Sequence, residues 1–201
     1  MARYTGPKRR LSKREGLPLF SKDIKAMERK GVINPGQRSS ARRRKRVSEY
    51  GLQLREKQKA KRFYGILERQ FRKYFERASK VKGATGLMLL ELLERRLDNV
   101  VFRLGLAKSR AQARQLVTHG HISIDNKKIN IPSYTTDIGQ TIALSPQLRD
   151  NTLVKKEIEE QSTLPGWLER EATFGKVLRR PERDEMEQAI EEQLIVEYYS
   201  R

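Results

Sequence analysis

Cysteine is absent from the 201 residues, which excludes disulfides and thiolate metal sites. Histidine is almost absent too: His119 and His121 are the only imidazoles, and two residues apart they make a poor metal pair on a helix. No metal and no cofactor is therefore expected. No apolar run approaches the roughly 18 residues that a transmembrane helix needs, and no signal peptide accompanies the basic start Met1-Ala2-Arg3. A soluble protein of the cytoplasm, or of a plastid stroma, without membrane partners is the expectation. Apolar residues make up only 36% of the chain, enough for a modest core. Acids are also in short supply, 25 against 44 lysines and arginines, a formal net charge of +19. Such a surplus repels itself in a compact free state and calls for a polyanion, of which nucleic acid is the commonest.

The placement of charge is more telling than its total. Residues 1–82 hold 27 Lys and Arg against 7 acids, whereas residues 83–201 hold 17 against 18. This is the pattern of a basic arm and helical module joined to a near-neutral folded domain. Residues 1–46 are rich in Arg, Lys, Gly and Pro and poor in apolar anchors, so they offset little of their ordering entropy alone. This arm is expected to be largely extended when free, with one short helix over Ser21–Lys30, capped by Ser21 and stopped by Gly31. Its candidate phosphate contacts are Arg3, Lys8, Arg9 and Arg10, and the burst Arg42, Arg43, Arg44, Lys45 and Arg46.

From Ser48 to Val81 the apolar spacing turns helical through Leu52, Leu54, Phe63, Ile66, Leu67, Phe71, Tyr74 and Phe75, and Gly65 is expected to break the stretch into two helices. Aromatic residues at this spacing belong to a core more often than to a base-stacking platform. The cations on the other faces, Arg55, Lys59, Arg62, Arg69, Arg72 and Lys73, are candidate backbone contacts. A turn-rich hinge, Lys82-Gly83-Ala84-Thr85-Gly86, follows. Leu87–Leu104 then reads as one amphipathic helix ending at Gly105, and Ser109-Arg110-Ala111-Gln112 as the capping box of another that stops near Gly120. Ile122-Ser123-Ile124 alternates as a strand, Asp125-Asn126 supplies a tight turn, Lys127–Ile131 returns, and Thr141–Leu144 is a third strand.

Three stretches carry a resemblance: Arg95-Arg96-Leu97-Asp98-Asn99-Val100-Val101-Phe102-Arg103-Leu104-Gly105, Ser109-Arg110-Ala111-Gln112-Ala113-Arg114-Gln115-Leu116-Val117, and Gly120-His121-Ile122. Together they resemble the small αL-type RNA-binding domain named after the ribosomal protein S-four family. The opening Ala2-Arg3-Tyr4-Thr5-Gly6-Pro7, the run Tyr50-Gly51-Leu52-Gln53-Leu54-Arg55-Glu56-Lys57-Gln58-Lys59 and the ending Leu194-Ile195-Val196-Glu197-Tyr198-Tyr199-Ser200 extend the resemblance to nearly the whole chain. The resemblance implies an α+β fold: a helical N-terminal domain with a basic extended arm, plus an inserted RNA-binding domain of two helices on a small, mostly antiparallel sheet. The implied boundaries are an arm at 1–46, a helical domain at 47–86 and 180–201, and an RNA-binding domain at 87–179 with its module at about 92–155.

It further implies a structural, primary rRNA-binding protein of the small ribosomal subunit that nucleates assembly and influences decoding accuracy near the mRNA entrance. Implied partners are small-subunit rRNA, neighbouring ribosomal proteins, especially the fifth small-subunit protein, and mRNA; no homo-oligomer is expected. Many relatives hold zinc with cysteines in the arm, and this chain has none to do so.

In the smaller domain Arg110 and Arg114 lie four apart on one helical face, beside Arg96 and Arg103 of the preceding helix. Lys108, Gln115, Lys127 and Lys128 extend the same candidate ridge, and guanidinium forks match phosphate. The alternative for Arg95 and Arg96 is a surface pair with Glu94 or Asp98. His119 and His121 either donate to phosphate or simply finish the helix. Arg96-Leu97-Asp98 echoes the catalytic aspartate motif of pseudouridine synthases, but the chain has no room for their catalytic domain, and Asp98 reads as an ion-pair partner of a nearby arginine. A free-standing RNA chaperone or an RNA-modifying enzyme using the same module is the alternative function. Beyond Leu153 an acidic helical stretch over Lys155–Gln161 is expected, with Trp167 packing into the second domain and a last element over Ile190–Tyr199. The acids Glu182, Asp184, Glu185 and Glu187 are expected to face a basic protein neighbour or solvent.

Overall fold

The computed structural model describes residues 4–30, 48–149, 164–171 and 173–200. Arg3, the Arg42–Arg46 burst and the acidic Lys155–Gln161 stretch lie outside the described residues. In chain order the elements are α1 (Lys8–Glu15), α2 (Ser21–Lys30), α3 (Glu49–Phe63), α4 (Glu68–Ala78), α5 (Thr85–Glu94), α6 (Leu97–Arg103) and α7 (Arg110–Thr118). Then come β1 (Ile122–Ile124), β2 (Lys127–Lys128), β3 (Thr141–Leu144), a short α8 (Pro146–Arg149), β4 (Leu168–Glu171), β5 (Phe174–Val177), a 3-10 turn (Arg183–Glu185) and α9 (Glu192–Tyr199). Packing divides the chain into two units, Met1–Glu76 with Ile190–Arg201, and Arg77–Ala189.

In the first unit the arm is more helical than its composition indicates. Besides the expected α2, Lys8–Glu15 forms α1, and the Ser12 hydroxyl donates to Asp23 Oδ2 at 2.5 Å. That bond and the buried Leu19 and Met27 give the pair of helices the anchor that its few apolar residues would not. Ser48 caps α3, accepting from the Gly51 N–H at 3.2 Å. Gly65 breaks the stretch as expected: at φ 65° it allows a Schellman ending, with Ile66 N–H on Lys61 O at 2.9 Å and Gly65 N–H on Arg62 O at 3.2 Å. Phe71, Tyr64, Ile66 and Tyr74 are buried, together with Ile190 and Ile195 from the far end of the chain. The Tyr199 ring stacks on Phe75 at 4.5 Å and on Phe71 at 6.4 Å. The aromatic residues of α4 are thus core, whereas Leu52 and Leu67 are exposed.

In the second unit the single helix expected over 87–104 is two. Arg96 is extended at φ −67° and ψ 136°, bridged to Thr135. The cause is a neighbouring loop: Leu97 N–H bonds to Tyr134 O at 2.8 Å and Thr136 N–H to Arg95 O at 2.9 Å, replacing helical bonds at the break. Gly86, read as part of the hinge, is buried inside α5. Ser109 accepts from the Gln112 N–H at 3.3 Å, but Gln112 Oε1 reaches the Lys108 N–H at 3.0 Å, so the reciprocal half of the box is displaced by one residue. The five-stranded sheet is antiparallel throughout, in the order β2-β1-β3-β5-β4. Asp125 and Asn126 adopt φ 47° and 66°, the positive pair that a tight two-residue hairpin needs. Regular pairing of the returning strand covers only Lys127–Lys128, and β4 and β5 are strands that the sequence pattern did not reveal. One sheet face, with Ile122, Ile124, Ile142, Leu144, Leu168 and Val177, closes on Leu97, Val100, Val101, Leu104 and Val117 around the wholly buried Trp167.

Glu68 ties α9 into the first unit. It accepts from Lys57 Nζ at 2.8 Å, Lys61 Nζ at 2.9 Å and the Tyr199 hydroxyl at 2.9 Å. Burial pushes its carboxyl up, but those donors outweigh burial and hold it at about 2 instead of 4.5. A depressed carboxyl contributes stability that is full above about pH 4.5 and is lost as the pH falls through about 2. With 45% of the Glu68 side chain exposed, screening keeps the effect modest. Glu68→Gln should therefore flatten the loss of stability between about pH 5 and pH 2, measured as urea midpoints. Parallel pH profiles for the two proteins would assign the acid sensitivity to other groups.

Candidate nucleic-acid interface

Two carboxylates organise the arginines of the second unit. Asp98 is buried and takes a bidentate bond from the wholly buried Arg96, Nε to Oδ1 at 3.0 Å and Nη2 to Oδ2 at 2.7 Å. Arg114 Nη1 stands 3.8 Å from the same Oδ2. Glu94, also buried, takes Arg103 bidentately at 3.0 and 2.7 Å and the Asn99 amide at 2.6 Å. Asn99 Oδ1 in turn accepts from Arg110 Nε at 2.8 Å, and the Arg110 guanidinium lies over the Phe102 ring at 4.5 Å. The four arginines expected as a solvent-facing ridge are thus brought together, but mainly by internal acceptors. Arg96 is enclosed entirely, not paired at the surface, and Arg103 and Arg114 keep 21% and 11% of their side chains exposed. Arg95 bonds Glu91 at 3.1 Å and Asp137 at 2.6 Å.

Several first-unit candidates are likewise engaged. Arg62 and, at 3.5 Å, Arg55 meet Glu15, whose side chain is 1% exposed. Burial pushes the Glu15 carboxyl up and the Arg62 guanidinium down, against the attraction between them. Lys59 pairs with Glu56, Arg72 with Glu76 at 3.2 Å, and Arg9 with Asp23 at 3.8 Å. Lys8 Nζ sits 5.3 Å from the Phe20 ring centre. Arg10, Arg69 and Lys73 are exposed with no carboxylate partner among the described residues, the last two one turn apart on α4.

What the second unit displays instead is a lysine and polar surface. Lys108, Lys127 and Lys128 are exposed. Gln115 and His119 are exposed on α7 or its cap, and His121 is half-buried, its ring 6.2 Å from that of His119. The Lys128 stem lies against Gly120, where any side chain would collide with it. Lys80, Lys82 and Lys176 are further exposed cations that sequence reasoning missed. The first two were legible in the basic run before Gly83; Lys176 depends on β5. Among the C-terminal acids, Glu185 turns inward to Arg179 at 2.9 and 2.7 Å and forms a capping box with Glu182.

Residues 3–94 match the model of the ribosomal protein S4/S9 N-terminal domain, and residues 95–142 match that of the S4 domain. The chain is 52% identical to small ribosomal subunit protein uS4 of Chloroflexus aurantiacus, covering all of both chains. The chain belongs to the ribosomal protein S4 family. Two further family members span its full length: uS4 of Dictyoglomus turgidum at 52% identity and uS4A of Symbiobacterium thermophilum at 51%. The S4 domain match begins at Arg95, where α5 gives way to the extended Arg96 and α6. Among the described residues no helix is long and apolar enough to cross a membrane.

Asp98→Ala should cost about 3–5 kcal/mol of stability by stranding Arg96 in the interior, while a paired Arg96→Met, Asp98→Leu exchange should recover most of it. Thermal unfolding of the three proteins tests this; equal loss in the single and double variants would refute it.

Proposed function

We propose that this protein is a structural, rRNA-binding constituent of the small ribosomal subunit. The observation that supports the reading most is full-length similarity to proteins named as small-subunit components, in a chain whose surplus of 20 positive charges lies within residues 1–82. Phosphates of folded rRNA supply the compensating charge, and the arm becomes fixed against them. Exposed Arg69 and Lys73 in one unit, and Lys108, Lys127 and Lys128 in the other, stand where the backbone can reach them. Arg103, Arg110 and Arg114 serve at the edge of that surface, positioned by Glu94, Asn99 and Asp98. Arg96 acts from beneath.

The family resemblance supports a finer role: early binding that nucleates small-subunit assembly, and an influence on decoding accuracy from a place near the mRNA entrance, beside the fifth small-subunit protein. Asp98, clamped by Arg96 in the interior, is held as a structural group and not as a reacting one.

In a sucrose gradient at moderate salt the protein should travel with the small subunit; a free-standing chaperone or enzyme would remain at the top. Lys127→Glu with Lys128→Glu should weaken rRNA binding at least about tenfold and reduce the slope of log affinity against log salt by about one for each phosphate that no longer meets a lysine. A double variant with unchanged affinity and slope would reassign this hairpin to solvent.

A further inference from the structure

On the second unit, α7, the turn after it and α8 border a shallow cleft of about 230 Å³, lined by Gln112, Gln115, Leu116, His119, His121 and Leu148. Leu116 and Leu148 pack against the apolar core and form its floor. Among the described residues no lysine, arginine or carboxylate lines it, which sets it apart in a chain of net charge +19. Gln112 is committed, its Oε1 accepting the Lys108 N–H at 3.0 Å. The side chains of Gln115, His119 and His121 make no hydrogen bond with the other described residues, and the imidazole planes are tilted by 49°. Cations stand beside the cleft, not in it: Lys128 runs over Gly120 between the two histidines, and Lys108 precedes α7.

A phosphate group would be met by guanidinium or ammonium. A neutral cleft with an apolar floor, an unengaged amide and two imidazole faces suits a planar heterocycle with both donor and acceptor edges. A glutamine amide pairs bidentately with adenine, and unstacked bases of single-stranded RNA are taken up on planar side chains that include histidine. We propose that this cleft receives one unstacked base of the bound RNA, adenine matching Gln115 best, with Lys108 and Lys128 set for the phosphates on either side. This rests on the rRNA-binding reading and adds to it a base-specific contact.

The test uses the full-length protein and protein-free small-subunit rRNA. Gln115 and His119 are exposed, so Gln115→Ala and His119→Ala leave the packing untouched. Each should weaken binding about tenfold while leaving the salt slope unchanged, since both lysines still meet their phosphates. Footprinting with dimethyl sulfate and diethyl pyrocarbonate should find an unpaired adenine protected by the wild-type protein that becomes reactive again in the Gln115→Ala complex, the remaining footprint persisting. Unchanged affinity with every base footprint intact would overturn the proposal, as would a weaker complex whose salt slope falls by about one, the signature of a phosphate contact. Failure of the wild-type protein itself to bind the rRNA would instead overturn the functional reading on which the cleft depends.

Discussion

Glu94 and Asp98 are buried between α5, α6 and α7, where an ionised carboxylate is stable only if cations and donors surround it. Five groups do so: Arg96, Arg103, Arg114, Asn99 and, through Asn99, Arg110. Helix spacing alone would let these long side chains sweep through many rotamers. The two acids fix them, and the break at Arg96 is part of the same arrangement: extended there, Arg96 lays its guanidinium on Asp98. The displayed surface of α7 therefore inherits its rigidity from a polar layer beneath it.

The same division recurs in the first unit. Glu15, Glu56 and Glu68 draw Arg62, Lys57, Lys59 and Lys61 inward, leaving Arg69 and Lys73 of α4 turned to solvent. A few acids in a basic stretch thus decide which cations build the unit and which remain to attract a polyanion. Counting lysines and arginines measures the field of the molecule; it does not say which of them touch a partner.

Much of the helical architecture was legible in the sequence because it depends on local signals. Ser48, Gly65, Ser109 and Gly120 mark ends that hydrogen bonds and positive φ enforce locally, and Asp125-Asn126 marks its hairpin in the same way. What escaped depends on distant partners. The break at Arg96 is imposed by residues 132–136, some forty positions on. β4 reads Leu-Glu-Arg-Glu and β5 contains Gly175, so neither looks like a strand until β3 offers an edge to β5, and β5 in turn to β4. For the candidate interface, charge and spacing put Arg96, Arg103, Arg110 and Arg114 together but did not reveal the burial of Arg96, since an arginine facing an apolar stripe and one facing water have the same spacing.

The first unit is discontinuous along the chain, and that has a bearing on how it comes into being. Tyr199 meets Glu68 across 131 positions and stacks on Phe71 and Phe75 of α4. As the polypeptide emerges from a translating ribosome, the second unit has all of its strands before α9 exists. The amino-terminal helices reach that point without the ring that stacks on Phe71 and Phe75, so their aromatic face is closed last, by the carboxy-terminal helix.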